Sequence, residues 1–408
     1  MSTQKIAIIG AGAAGCFAAA NIPIAEGREV VVFEKAVRPM QKIKVSGGGR
    51  CNVTHACFEV QELVKRYPRG TSLLKKSLHH FSPQDTIQWF KERGVAIAEE
   101  ADGRMFPATN DAQTIIDCIW QEMMQRRVEV RFGKGVKSVV QSDGGFQLSF
   151  EDGSVFLADK VMLACGAILK PEQIGWLTSL GHTIQPPAPS LFTFNLPKNP
   201  ITELMGVSVP EVTVKIAGTK FVQSGPLLIT HWGFSGPAIL RSSAWAALTL
   251  QEKNYHFTAL INWLGSVTED ELRQQFAALR QQQGKQLLHG KNPFELPKRL
   301  WEFLLNRCGI GEAVKWGELA AASQNKLIVA LVQDAYEVKG KTTFKEEFVT
   351  CGGVALSEIN PQMMESRLIP GLFFGGEAMD VDGITGGYNF QHAWCSGWLA
   401  SRGLSAFD

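Results

Sequence analysis

The chain of 408 residues carries 41 Lys and Arg against 39 Asp and Glu, and 45% of its residues are hydrophobic. That length exceeds one small core and predicts two or three domains, while the hydrophobic share excludes long disorder. The balance of charge, without a long run of one sign, argues against a nucleic-acid partner.

No apolar run approaches the ~18 residues a membrane span needs, so a membrane partner is not expected. The first strand is expected from Lys5, which leaves no room for a signal peptide before it. The 8 cysteines contain no CxxC pair, and neither a zinc nor an iron–sulfur spacing occurs, so no metal is expected. They read as reduced thiols in a cytoplasmic protein.

Residues 5–9 (KIAII) form an apolar strand that runs directly into Gly10-Ala11-Gly12-Ala13-Ala14-Gly15. A small-residue helix follows, then a second apolar run, 30–33, that ends in Glu34 and Lys35. Strand, glycine turn, helix, strand and acid in this order predict a dinucleotide site. Gly10 permits the tight turn, Gly12 lets backbone approach a pyrophosphate, and Gly15 lets helix and strand pack closely. The helix start at Ala13 and Ala14 offers unpaired N–H groups to phosphate. Glu34 is placed to accept from ribose hydroxyls, which disfavours a 2′-phosphate at this site.

Three glycines, Gly47, Gly48 and Gly49, stand between Lys42 and Lys44 on one side and Arg50, Cys51 and Asn52 on the other. Such a run can fold amides around an anion or a planar ring. The stretches 128–140, 146–150 and 155–157 alternate and predict an antiparallel meander. Residues 160–164 then predict a buried strand ending at Gly166. A meander leading into such a strand is the layout of FAD domains like that of glutathione reductase, not of a simple NAD dehydrogenase.

Pro186, Pro187 and Pro189 mark a boundary. Strands are expected at 207–209, 212–216, 227–230 and 257–263. From Thr268 the pattern turns helical: Leu272, Phe276 and Leu279 recur at helical spacing, then Leu300, Trp301, Leu304 and Leu305, and a third helix is expected over 325–337. No second GxGxxG occurs for a resident pyridine nucleotide. Near the end, strand 372–374 leads through Gly386 and Gly387 into a helix over 390–400, whose positive end favours charge developing on a reduced flavin.

GAGAAG (10–15), KVSGGGRCN (44–52), DGRMFP (102–107), THWGFSGPAIL (230–240), TCGGV (350–354) and GEAMDVDGITGGYNFQ (376–391) together resemble one family of bacterial flavoproteins. It comprises the NAD(P)/FAD-dependent oxidoreductases that include BaiN-type bile-acid reductases and aminoacetone oxidases. The resemblance covers nearly the whole chain. It implies an α/β fold: a glutathione reductase-like, Rossmann-like FAD domain (1–190 and 346–408) with an inserted β-rich domain (191–265) and an inserted helical domain (266–345).

It also implies a cofactor wall that adds Lys35, Lys42, Val136, Gly166, Gly376, Glu377 and Asp382 to the N-terminal turn. The flavin end is set among Gly48, Gly49, Arg50, Cys51, Asn52, Gly387, Tyr388 and Asn389. One stretch departs from the pattern. Relatives carry Ala-Thr-Gly-Gly and a longer Thr/Gly-rich loop where this chain has Ala164-Cys165-Gly166-Ala167 and then Ile168-Leu169-Lys170-Pro171.

The expected reaction is hydride transfer between flavin N5 and a small organic substrate, reducing an activated C=C or C=O with NAD(P)H as transient co-substrate. An amine oxidase producing hydrogen peroxide, or a non-enzymatic flavin carrier, are the alternatives. His231, in a glycine-flanked loop, is a proton donor or a structural histidine. Arg104 holds an anionic substrate group or pairs with Asp102. Tyr388 donates a proton or packs on the flavin ring.

Overall fold

The computed structural model describes residues 3–142, 144–168, 174–290, 292–342 and 349–406. The chain forms two compact units, residues 1–189 with 344–408, and residues 190–343. The departing loop beyond Ile168 and the boundary expected at 345/346 lie outside the described residues.

The first unit is built on a parallel sheet of five strands. Their order across the sheet is Leu372–Phe374, Lys160–Leu163, Gln4–Ile9, Arg28–Glu34 and Glu129–Phe132. Strands buried on both faces read as unbroken apolar runs, and Ile6, Ala7, Ile8, Val31 and Val32 are fully buried. The helix Ala13–Ala19 covers one face together with the C-terminal helix Tyr388–Leu404. The two approach closely because Gly397 has no side chain: a Cβ there would lie 2.6 Å from the carbonyl oxygen of Ala14. Phe17 packs its ring against Trp89 at 4.6 Å and Trp394 at 5.1 Å, an aromatic cluster that fills the space beneath the helices.

The meander forms from Val136–Ser142, Gly145–Phe150 and Val155–Ala158. The single strand expected over 128–140 is two strands in two different sheets. Glu129–Phe132 pairs in parallel with Arg28–Glu34, and Gly133, at φ +67°, turns the chain before Val136 joins the meander. Ile184–Ser190, which contains the proline cluster, pairs with Val349–Val354 in a separate two-stranded sheet. Proline's fixed φ suits an extended edge strand of this kind.

The second unit holds a seven-stranded sheet in the order Asp334–Lys339, His256–Asn262, Ser208–Ile216, Val222–Thr230, Gly233–Ser235, Thr193–Asn195, Lys341–Thr342. The helices Glu269–Gln282, Lys298–Arg307 and Ala321–Val332 lie in the chain between two adjacent strands of that sheet. Strand-rich and helical stretches thus share one unit. The helix expected over 325–337 stops at Val332, and Asp334–Lys339 is a strand. Asp334 decides this: its buried carboxylate accepts the indole N–H of Trp263 (2.9 Å), the Tyr336 hydroxyl (2.6 Å) and the Arg307 guanidinium (2.6 Å). A strand puts Asp334, Tyr336 and Val338 on one buried face, which a helix cannot do.

Candidate active site

The turn between Gln4–Ile9 and Ala13–Ala19 separates the three glycine roles. Gly10 sits at φ +108°, and a Cβ there would lie 2.4 Å from the carbonyl oxygen of Ala164. At Gly15 it would lie 2.1 Å from the carbonyl oxygen of Gly10. At Gly12 the nearest atom is the Ala164 carbonyl oxygen 3.9 Å away, an ordinary contact that leaves room for a methyl group. Backbone closure explains the first two; at Gly12 the missing side chain instead leaves the backbone open to a close approach, the role such a position plays toward a pyrophosphate.

Glu34 stands at the end of its strand beside that space. Its two carboxylate oxygens accept the N–H groups of Ala11 and Ala36, each at 2.8 Å. The acid is thereby fixed with lone pairs to spare for hydroxyl donors. The N–H of Lys134 bonds the Glu34 carbonyl at 2.9 Å, which brings the start of the Val136 strand to the same edge. Glu377 completes this side. One of its oxygens is paired with Lys42, and the other is buried without a hydrogen-bond partner. Lys35 is exposed nearby in sequence, and Gly166 would place a Cβ 3.8 Å from the Glu377 carboxylate.

The opposite end is formed by the Gly386–Gly387 turn at the start of the helix Tyr388–Leu404. Both glycines have positive φ, and a Cβ on Gly387 would lie 2.5 Å from the Thr54 carbonyl oxygen. With its amide oriented to satisfy its neighbours, Asn52 donates to the carbonyls of Thr54 (2.9 Å) and Met105 (3.2 Å) and accepts the Gly387 N–H (3.0 Å). Asn389 closes the same loop on itself, donating to the Gly383 carbonyl and accepting the Gly383 N–H, both at 2.8 Å. The Tyr388 ring is buried, stacked on His55 with centroids 4.9 Å apart and edge-on to Tyr67. Tyr67 donates its hydroxyl to the Tyr388 carbonyl at 2.7 Å.

The glycine-rich stretch is a helical segment broken at its end. Ser46 is extended, and Gly47, Gly48 and Gly49 all have left-handed φ between +58° and +84°. Cys51 follows at φ +60° and is fully buried, and burial pushes its thiol up to about 12 against the pull of the Ser46 hydroxyl. A thiolate nucleophile is therefore disfavoured there. The flanking cations have carboxylate partners: Lys42 with Glu377, Lys44 with Asp111, and Arg50 with Glu100. Arg50 also lies 4.0 Å over the ring of Phe106.

Of the expected catalytic residues, Arg104 is engaged by Asp102 (2.7 Å) and Glu100 (2.8 Å). His231 belongs to the second unit, where it is exposed and its ring meets Trp232 edge-on at 4.3 Å. Tyr388, Asn52 and the glycine turn come together as described. Sequence reasoning missed Arg69, whose guanidinium bonds both oxygens of the fully buried Asp382. It also missed Thr54 and Thr86, which both donate to Gln391 (2.7 and 2.9 Å) and pin the helix behind the turn. A lone arginine and two threonines carry no local signal.

Sheet, turn and acid define a dinucleotide-binding protein of Rossmann type, and the open cradle at Gly12 with the unpartnered oxygen of Glu377 fits FAD. The chain belongs to the HI0933-like family, matching the description "HI0933-like protein Rossmann domain" over residues 4–403. It is 35% identical to the "Ribosomal RNA dihydrouridine synthase" of Escherichia coli (strain K12) over 98% of this chain and 97% of that protein. It is 28% identical to the "3-dehydro-bile acid delta(4,6)-reductase" of Clostridium scindens, over 98% of each chain. A Haemophilus influenzae protein, also named a ribosomal RNA dihydrouridine synthase, is 29% identical over 98% of each. With this family the protein is an FAD-dependent oxidoreductase. No described helix is long and apolar enough to cross a membrane.

Proposed function

We propose that the protein reduces a carbon–carbon double bond conjugated with a carbonyl, taking its electrons from NAD(P)H. The supporting observation is that two full-length relatives are named for different substrates and one reaction. Dihydrouridine arises when hydrogen adds across the uracil double bond next to a ring carbonyl. A 3-dehydro compound reduced at positions 4 and 6 presents the same conjugated arrangement. Bound FAD supplies the hydride at N5. The chain's own residues would orient and hold it: Gly12 and the following amides would face the pyrophosphate, Glu34 the ribose, Glu377 the ribityl hydroxyls, and the 386–389 turn the flavin ring. The 8 cysteines include no CxxC pair, the usual form of a dithiol relay. Those thiols also suit a reducing, cytoplasmic setting.

The uracil ring of ribosomal RNA is the favoured substrate. The second unit carries 16 Lys and Arg against 12 Asp and Glu, while the rest of the chain carries 25 against 27. A basic excess of this kind favours a polyanion at that unit, although the charge of the whole chain is nearly balanced. A small conjugated ketone is the second reading, supported by the overall charge of only +2. Anaerobic mixing of the holoprotein with NADH or NADPH tests the reductase: the flavin bleaches, and an unmodified ribosomal RNA transcript or a 3-oxo-4-ene steroid restores its colour. Dihydrouridine in the RNA identifies the first substrate and a reduced steroid the second. Flavin that stays oxidised with both nucleotides but is bleached by an amine identifies an oxidase instead.

A further inference from the structure

We propose that Asp380 is the acid that protonates the substrate as its conjugated double bond is reduced, an assignment that rests on the reductase reading above. The segment from Asp380 to Tyr388 leads directly into the flavin-end turn, and neighbouring backbone holds it on two sides. The Asp380 N–H donates to the Val354 carbonyl at 3.1 Å, and its carboxyl accepts the Gly352 N–H at 3.0 Å. Gly352 is obligatory for that bond: at φ +96°, a Cβ would lie 2.5 Å from the Pro186 carbonyl oxygen. On the other side, the Ile384 N–H donates to the Arg66 carbonyl at 2.9 Å, and Arg69 grips Asp382.

The two carboxyls of this segment are therefore unlike. Asp382 is fully buried and both its oxygens bind Arg69. Asp380 is only partly covered, and one amide takes one of its oxygens. Three other proton carriers of the first unit are engaged elsewhere or sealed. Tyr67 donates to the Tyr388 carbonyl, Cys351 donates to the Ala188 carbonyl at 3.3 Å, and Cys51 is sealed from solvent. Burial raises the Asp380 carboxyl above the ordinary carboxylate range; the Gly352 N–H and Arg69 oppose this, and Asp382 reinforces it. Its neighbours in charge are Arg69 from the 66–70 segment, Asp382 from its own, and Cys351 from the strand Val349–Val354.

The balance is simple. An electron pair arrives with hydrogen from reduced FAD at the β-carbon, and the C=C π bond breaks. The α-carbon takes the proton from the Asp380 O–H, so two C–H bonds form. The flavin is left oxidised, the carboxylate is reprotonated from water, and NAD(P)H reduces the flavin again.

The test uses the anaerobically reduced holoprotein mixed with the transcript or the steroid. Asp380→Asn keeps its FAD, its melting temperature and its bleaching by NAD(P)H, but its reoxidation by acceptor slows about 100-fold. The wild-type rate falls as pH rises through the acid's titration; that limb disappears in Asp380→Asn and returns, displaced, in Asp380→Glu. Infrared difference spectra of wild type against Asp380→Asn show a protonated-carboxyl band that is lost as pH rises through the same titration. Reoxidation of Asp380→Asn at the wild-type rate and pH profile overturns the assignment, as does absence of the band. Wild-type reduced protein that neither acceptor reoxidises overturns the reductase reading, and the assignment with it.

Discussion

Arg69 and Asp382, 313 residues apart in the chain, meet through two parallel N–H···O bonds in the interior of the first unit. The Asp382 side chain is 0% exposed and that of Arg69 15%. Removing one partner strands a buried charge, which costs about 3–5 kcal/mol. Arg69→Met is expected to lower the melting temperature sharply, while the double change Arg69→Met with Asp382→Leu recovers most of the loss. A double-mutant cycle by thermal melts measures the coupling; additive losses would show that the pair does not hold the segment.

The three N-terminal glycines respond differently to alanine. Gly10→Ala and Gly15→Ala drive a methyl into the backbone and disrupt folding itself. Gly12→Ala finds open space, so the apoprotein melts as wild type does. Its methyl enters the volume the pyrophosphate needs, and FAD is lost. Melts with and without added FAD separate the two cases: a Gly12→Ala apoprotein that unfolds early would place this glycine in the fold and not the site.

Glu34→Ala removes the acceptor for two backbone amides as well as the partner for ribose. One charged hydrogen bond contributes about 1.5–3 kcal/mol, so the dissociation constant for FAD should rise about 10- to 100-fold. Glu34→Gln retains an acceptor oxygen and falls between. Flavin fluorescence titration of the apoprotein gives the constants, and equal affinities for all three proteins would take Glu34 out of the site.

His392 gives the first unit an acid sensitivity. It is buried, burial lowers its imidazole to about 4, and the Gly376 carbonyl at 3.3 Å opposes that only weakly. The folded protein refuses a proton that the unfolded chain accepts below its usual value of about 6.5. The penalty is absent above that value and grows as pH falls toward 4, reaching about 3 kcal/mol. Glu358 adds to the loss at lower pH. Burial raises its carboxyl, but hydrogen bonds from Thr183 and His182 outweigh this and hold it below the usual range. His392→Gln should flatten the decline in melting temperature between pH 6.5 and 4; an unchanged slope would assign it to other groups.

The features legible in the sequence are those whose parts are close in the chain. Gly10, Gly12, Gly15 and Glu34 act within one strand–helix–strand unit, so spacing alone reveals their roles. Arg69 with Asp382, and Thr54 with Gln391, are pairings that only the closed fold creates. Position 334 misled for another reason: helical apolar spacing runs from Leu327 to Leu331 and overlaps a strand whose anchor, Asp334, is polar. The run 128–140 looked continuous because β-rich composition does not state which sheet a strand joins. The two flanking lysines and the arginine of the triple glycine read as ligand contacts, yet each carries a carboxylate partner from a distant element.

The order in which the chain is made differs from the order in which it is assembled. Strand Gln4–Ile9 emerges first, but Lys160–Leu163 at its side takes its outer neighbour from Leu372–Phe374, and the helix that caps the flavin end begins only at Tyr388. A nascent chain therefore displays half a nucleotide cradle through most of its synthesis, with apolar strand faces awaiting a cover made hundreds of residues later. Loading of FAD is expected to wait for that helix, so a chain halted before Tyr388 should stay colourless.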